Sequence, residues 1–81
     1  MTLSRGVRVL VEFYHLPQFG GGRHLEEQVF PPGTTVAEVL AHYGLLQERG
    51  LTQLLNGRYV QRDQPVTDGS RLTILYQSQG G

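Results

Sequence analysis

The chain has 81 residues, with seven arginines balanced by seven acidic residues, no lysine and no cysteine. This length fits one small domain whose core leaves little room for a buried active-site cleft. The zero net charge argues against a nucleic-acid-binding or membrane-surface protein, and the missing cysteines exclude disulfides, thiolate metal sites and cysteine nucleophiles.

The first six residues, MTLSRG (1–6), are predicted to form a flexible amino terminus. They lack the apolar core of a secretion signal. No apolar run in the chain approaches the roughly 20 residues that a membrane-spanning helix needs. We therefore expect a cytoplasmic protein.

The next segment predicts a β-hairpin. From Val7 to Tyr14 the sequence VRVLVEFY places four apolar residues on one face, Val7, Val9, Val11 and Phe13. The stretch LPQFGGGR then breaks the pattern, and HLEEQVF resumes an alternation. We interpret the glycine-rich stretch as a long flexible loop between two strands. It is not a phosphate-binding loop, because Arg23 and His24 follow the glycines in place of Lys and Ser or Thr.

One helix is predicted in PPGTTVAEVLAHYG. Thr35 and Glu38 have the spacing of a capping box, and Gly44 suits a carboxyl-terminal stop. Apolar residues follow at positions i, i+3, i+4 and i+7, namely Val36, Val39, Leu40 and Tyr43. These signals predict a helix from about Thr35 to Tyr43 that covers the sheet.

The second half of the chain returns to strands. Asn56-Gly57 favours a type I′ hairpin turn, although the pattern leaves open whether Leu54 or Leu55 points inward. Asp68-Gly69 predicts a further turn, after which RLTILY forms the last strand. We expect one domain over residues 7–76 and a flexible tail over residues 77–81.

These elements predict an α+β fold with a mixed sheet of four to five strands and one main helix packed across it. In this order they resemble the β-grasp fold of ubiquitin-like proteins, and most closely the ThiS/MoaD sulfur carriers. The resemblance rests on VRVLVEF, PPGTTVAEVL, LLNGRYVQ, PVTDGSRLTIL and the final glycine pair. It implies that the first and last strands are parallel and central. The expected core contains six residues: Val9, Val11, Val36, Leu40, Leu72 and Ile74.

The same resemblance implies that Gly80 and Gly81 carry the function. In such carriers an E1-like adenylyltransferase uses ATP to activate the terminal carboxylate, and a persulfide donor then supplies sulfur to give a thiocarboxylate. Glycines lack Cβ atoms and fit a narrow enzyme tunnel. The acceptor would be the molybdopterin synthase large subunit or thiazole synthase. The protein is accordingly expected to be a carrier with no bound cofactor, not an enzyme.

A docking surface is predicted beside the tail. If Val9 and Ile74 face the helix, then Leu10 and Leu75 face away from it on adjacent strands. Together with Tyr76, or with Leu54 or Leu55, they would form an apolar patch for the partner enzymes.

Other candidate sites have weaker support. The three histidines, at 15, 24 and 42, show no metal-ligand spacing. Glu26 and Glu27 are adjacent in a strand, so their carboxylates point to opposite faces and cannot share a substrate. Three functions stay open: a sulfur carrier for molybdopterin, tungstopterin or thiamin thiazole synthesis, a ubiquitin-like protein modifier, and a β-grasp domain that binds partners without covalent chemistry.

Overall fold

The computed structural model describes residues 6–76 and contains one mixed sheet and one α-helix. The elements are β1 (Val7–Tyr14), β2 (Arg23–Phe30), α1 (Val36–His42), β3 (Leu51–Leu55), β4 (Arg58–Tyr59) and β5 (Ser70–Tyr76). The strand order is β2-β1-β5-β3-β4, with β1 and β5 parallel and the other pairs antiparallel. This is the predicted β-grasp topology, and the expected pairing of the first and last strands is confirmed.

The core lies between the helix and the two central strands. Alternate residues of β1 and β5 point toward α1 because side chains alternate along a strand. All six residues that the sequence pattern assigned to the core are fully buried: Val9, Val11, Val36, Leu40, Leu72 and Ile74. Phe13 and Leu16 are also fully buried and enlarge this cluster.

The helix begins and ends as predicted. The Thr35 side chain accepts a hydrogen bond from the Glu38 amide, and the Glu38 carboxylate accepts one from the Thr35 amide at 2.9 Å. Tyr43 is the last, half-helical position, and Gly44 follows with a φ of +73°, a left-handed conformation that favours glycine. Within residues 6–76 no helix has the length and apolar character needed to cross a bilayer.

The position of the turn between β3 and β4 determines whether Leu54 or Leu55 is buried. Asn56 and Gly57 have φ values of +52° and +84°, as a type I′ turn requires. Leu55 pairs with Leu72 and is buried on the helix side. Leu54 pairs with Thr73 and Tyr59 and is half-buried on the opposite face.

The loop between β1 and β2 is packed against the core, which corrects the expectation of a plain flexible loop. Pro17–Phe19 form a turn of 3-10 helix, Leu16 is fully buried, and the Phe19 ring stacks on Phe13 with centroids 4.1 Å apart. The Gly21 amide also donates to the Leu16 carbonyl oxygen at 3.0 Å. Turn-forming composition predicted the chain reversal, but it did not reveal that two apolar side chains within the loop are drawn into the core.

Candidate functional site

The base of the predicted tail lies at the end of the central strand β5. Leu75 pairs with Tyr14, the last residue of β1, and Tyr76 pairs with Leu51 of β3. Strand β5 therefore ends next to the end of β1. The predicted carrier residues Gly80 and Gly81, like the rest of residues 77–81, lie outside the described residues.

Tyr76 is held on the helix side of the sheet. Its ring packs against the core, and its hydroxyl donates a hydrogen bond to Glu48 Oε1 at 2.7 Å. This hydrogen bond from the phenol raises the pKa of Tyr76 above its ordinary value. The contact attaches the end of β5 to the loop that precedes β3.

Leu75 and Tyr76 point to opposite faces, so Tyr76 cannot extend a patch that contains Leu75. Leu75 is half-buried on the face away from α1, between Tyr14 on β1 and Thr52 on β3. Leu54 lies diagonally next to it on the same face. The apolar neighbours of Leu75 at the base of the tail are thus Tyr14 and Leu54.

Leu10 shares this outer face but is not contiguous with Leu75, which corrects the predicted single patch. Leu10 pairs with Arg71 on β5 and with Glu27 on β2. Since Leu75 lies four residues beyond Arg71, the two leucines are separated by about 13 Å along the strands. The intervening row holds Glu12 and Thr73. Sequence reasoning placed both leucines on the correct face but did not include the parallel register that separates them.

Glu12 forms a buried ionic centre between the two leucines. Its side chain is only 3% exposed, although it lies on the face that the helix leaves uncovered. Arg23 Nε donates to Glu12 Oε2 at 2.7 Å, and Thr73 Oγ1 donates to Glu12 Oε1 at 3.0 Å. Arg71 is 4.0 Å from Glu12 Oε1. The cross-strand arrangement of two arginines and a threonine around one carboxylate is the part of this face that sequence analysis missed.

The protonation of Glu12 follows from these contacts. Burial favours the neutral acid and would raise the pKa of Glu12. Hydrogen bonds from Arg23 and Thr73, with a smaller contribution from Tyr14, outweigh burial and hold the pKa below its ordinary value of about 4.5. Glu12 is therefore an anion at neutral pH.

Stability should depend on this carboxylate. Because its pKa is lowered in the folded state, Glu12 contributes stability that is fully present above about pH 4.5 and is lost as the pH falls through the folded pKa. We expect Glu12→Gln to reduce the free energy of unfolding at pH 7 by roughly 1 kcal/mol, since Arg23 is half-exposed and the pair is partly screened. The variant should also show a flatter decline below pH 4.5. Denaturant unfolding at pH 3 to 7 measures both.

Glu27→Gln is the matched control for this prediction. Glu27 lies on the same face, but its side chain is 61% exposed and 3.6 Å from Arg8. Glu27→Gln should lower the free energy of unfolding by less than Glu12→Gln does, because an exposed ion pair contributes little. Equal effects of the two substitutions would show that the environment of Glu12 has no special energetic role.

Glu26 and Glu27 face opposite sides of β2, as predicted. Among residues 6–76 no three His, Cys, Asp or Glu side chains lie close enough together to hold a metal ion. The Tyr43 hydroxyl is buried without a hydrogen-bond partner in this part of the chain, and burial, with Glu26 nearby, raises the pKa of Tyr43 to about 12. A neutral phenol of this kind contributes to packing.

Comparison with known families settles which group of proteins this fold represents. The model of the ThiS family matches residues 7–81, which includes the whole sheet and the final glycine pair. The chain belongs to the ThiS family. The resemblance to ThiS/MoaD carriers noted from the sequence motifs is thereby confirmed. A search of curated proteins finds no match.

Solved structures support the same fold at low sequence identity. A candidate molybdopterin converting factor subunit 1 from Pyrococcus furiosus is 22% identical, with a TM-score of 0.72 over 89% of this chain and 99% of that one. Small archaeal modifier protein 1 from Haloferax volcanii is 15% identical, with a TM-score of 0.70 over 90% of this chain and 100% of that one. One chain of the Helicobacter pylori complex between subunits 1 and 2 of molybdopterin-converting factor is 21% identical, with a TM-score of 0.57 over 93% of this chain and 100% of that one.

Proposed function

We propose that this ThiS-family protein is a sulfur carrier whose reactive group is the carboxylate of Gly81. An E1-like adenylyltransferase transfers AMP from ATP to the carboxylate and releases pyrophosphate. A persulfide sulfur then attacks the acyl carbon and displaces AMP, and a thiol cleaves the resulting sulfur–sulfur bond to leave the thiocarboxylate. The observation that supports this proposal is the family match, which extends through Gly81.

The fold suits a carrier whose chemistry is performed by other proteins. The base of the tail is fixed by the hydrogen bond between Tyr76 and Glu48, while the sheet face next to it presents Leu75 and Leu54. A fixed base gives a partner enzyme a constant starting point for the segment that enters its active site. Under this proposal the carrier holds no cofactor of its own and acts in the cytoplasm.

The sulfur acceptor is proposed to be the large subunit of molybdopterin synthase. Two of the similar structures bear the name molybdopterin converting factor, and the Helicobacter pylori structure contains subunits 1 and 2 of that factor together. These names favour molybdopterin or tungstopterin synthesis over thiazole synthesis. Thiazole synthase is the alternative acceptor within the same chemistry.

Protein modification is a second candidate, favoured by the similarity to small archaeal modifier protein 1. In that case the activated Gly81 carboxyl would form an isopeptide bond with a lysine of a target. The chain has no lysine, so it could not build chains linked through its own side chains.

Intact-mass measurement distinguishes the candidates. The protein is incubated with ATP, an E1-like enzyme and a persulfide donor, with and without a mixture of target proteins. A mass increase equal to the exchange of one oxygen for one sulfur supports the carrier. Attachment to target lysines supports the modifier. An unchanged mass, under conditions in which the enzyme activates a known carrier, contradicts both and leaves a binding domain.

A further inference from the structure

Strand β2 forms an open edge of the sheet. It bonds to β1 on one side, and within residues 6–76 no strand pairs with its other side. The His15 amide donates to the Gly22 carbonyl oxygen at 2.9 Å, which makes these two residues a hydrogen-bonded pair of the hairpin. Because such pairs alternate in an antiparallel ladder, the odd-numbered residues of β2 direct their backbone groups outward. They are Arg23, Leu25, Glu27 and Val29.

This edge lacks three of the features that commonly prevent strand pairing, namely proline, a bulge and a very short strand. It does carry charged side chains, which would oppose pairing unless a partner strand places opposite charges across from them. The eight residues of β2 contain no proline, and their register with β1 continues without interruption from Val7–Phe30 to Tyr14–Arg23. Leu25 and Val29 are 43% and 59% exposed on the outer face. A second strand can therefore add along the full length of β2.

We propose that two copies of this chain pair through β2 as antiparallel strands, with the two-fold axis at Leu25. In this register Leu25 faces the partner's Leu25, and each donates its amide to the other's carbonyl oxygen. Arg23 faces the partner's Glu27, and Glu27 faces the partner's Arg23. On the helix side, His24 faces the partner's Glu26. Every charged side chain of the strand thus meets one of opposite sign or a hydrogen-bonding partner.

Charge distinguishes this register from its neighbours. A two-fold axis at Glu26 or at Glu27 would place two identical carboxylates directly opposite each other, which is unfavourable. An axis at His24 would place Arg23 opposite Leu25 and would form no pair of opposite charges. The sequence Arg-His-Leu-Glu-Glu is therefore complementary to itself in one antiparallel alignment, centred on Leu25.

The internal ion pairs are compatible with this assembly. Arg23 uses Nε for its hydrogen bond to Glu12, and a guanidinium group has five N–H donors, so its outer nitrogens can reach a second carboxylate. Glu27 is 3.6 Å from Arg8 and largely exposed, so it can contact a second arginine without losing the first. Both residues would then lie in a row of alternating charges across the two chains.

Gly22, which directly precedes β2, gives independent support for the close approach of a partner strand at this end of β2. Its φ is not in the left-handed region, and a Cβ built on it would meet nothing within 4 Å, so one copy of the fold does not require glycine there. In the proposed register Gly22 lies opposite the partner's Gln28. The absence of a side chain leaves space for that residue where the partner strand passes the loop.

The assembly would join the two sheets into one and keep both outer faces on the same side. This follows because the two-fold axis is perpendicular to the sheet. The two β5 strands would end in opposite directions, each with its own Leu75 accessible. The proposal goes beyond the carrier function, since it does not depend on any chemistry at Gly81.

The test is a charge substitution at the residue that faces itself. Sedimentation equilibrium of the unmodified chain, at concentrations up to about 1 mM because the interface is small, should show a monomer–dimer equilibrium. Leu25→Lys and Leu25→Glu, each measured alone, should weaken association by about tenfold or more, because each places like charges in contact at the axis. A mixture of the two variants should associate again, as Lys–Glu heterodimers.

Val29→Lys is the matched control, since Val29 lies on the same face of the same strand and is more exposed than Leu25. In the proposed register Val29 faces the partner's Gly21, beyond the charged pairs. The Val29→Lys variant should therefore dimerise almost as well as the unmodified chain. A monomeric unmodified chain at the highest concentration would overturn the proposal. So would failure of the mixed variants to associate, or a larger effect of Val29→Lys than of Leu25→Lys, which would indicate another surface or another partner.

Discussion

Deletion of Gly81 is expected to abolish adenylation and to leave the stability of the domain unchanged. The deletion moves the terminal carboxylate to Gly80, one residue short of the position that we propose is activated, while residues 77–81 contain no apolar side chain that could contribute to the core. Adenylation is measured as ATP–pyrophosphate exchange with the E1-like enzyme, and stability as the midpoint of thermal unfolding. The deletion should therefore abolish adenylation without changing the midpoint of thermal unfolding.

Two further tail variants show whether backbone shape matters as well as length. Gly80→Val should impair adenylation strongly, because a β-branched side chain thickens the segment and restricts its backbone. Ser78→Ala, a small change further from the terminus, should retain most of the activity. Full activation of the chain that lacks Gly81 would show that adenylation does not require Gly81 and would contradict its proposed role as the acceptor.

Leu75→Asp is expected to weaken binding of the E1-like enzyme by about tenfold to a hundredfold. A charge would replace Leu75 in the apolar surface that it forms with Tyr14 and Leu54. Loss of a hot-spot side chain at the centre of an interface costs about 2 kcal/mol or more. Isothermal titration of the carrier with the enzyme gives the affinity. Thermal unfolding of each variant must accompany it, because Leu75 is half-buried.

Two control substitutions on the outer face test whether the docking surface is centred on Leu75. Leu10→Asp introduces the same charge on the far side of the row that contains Glu12, so its effect on binding should be smaller. Val29→Asp lies on the edge strand β2 and should have little effect. A large loss of folding stability in Leu75→Asp, or equal binding losses in all three variants, would contradict a docking surface centred on Leu75.

The central fold could be predicted because its signals are local and agree with one another. Alternation in VRVLVEFY and RLTILY assigns the inward faces of β1 and β5, and the spacing of Thr35 and Glu38 marks the start of the helix. A strand with period two has only two choices of face, so the correct choice at Val9 and Ile74 determines all their neighbours.

Features that depend on register could not be predicted in the same way. Glu12 lies between the inward-facing Val11 and Phe13, so the alternation predicts a solvated side chain. In the structure β5 and β2 place Thr73, Arg71 and Arg23 around it. The separation of Leu10 from Leu75 has the same origin. Alternation along β5 places Tyr76 on the face opposite to Leu75, which excludes it from the docking patch. The packing of Leu16 and Phe19 has no sequence signal, because both residues lie in a segment rich in turn-forming residues.

The parallel pairing of β1 with β5 also determines when the domain can fold. Glu12 and Thr73 are 61 positions apart, yet they meet in the middle of the sheet. Contacts of such long range form late and slow down folding. Before β5 has been synthesised, β1 and β3 have no strand between them, and the helix lacks the part of its packing surface that Leu72 and Ile74 supply. A nascent or proteolysed chain without β5 should therefore remain unfolded and open to degradation. A stable domain should therefore form only in molecules whose synthesis has continued at least through β5. Truncated molecules that lack the carboxyl-terminal segment together with β5 would be removed before they could compete for partner enzymes.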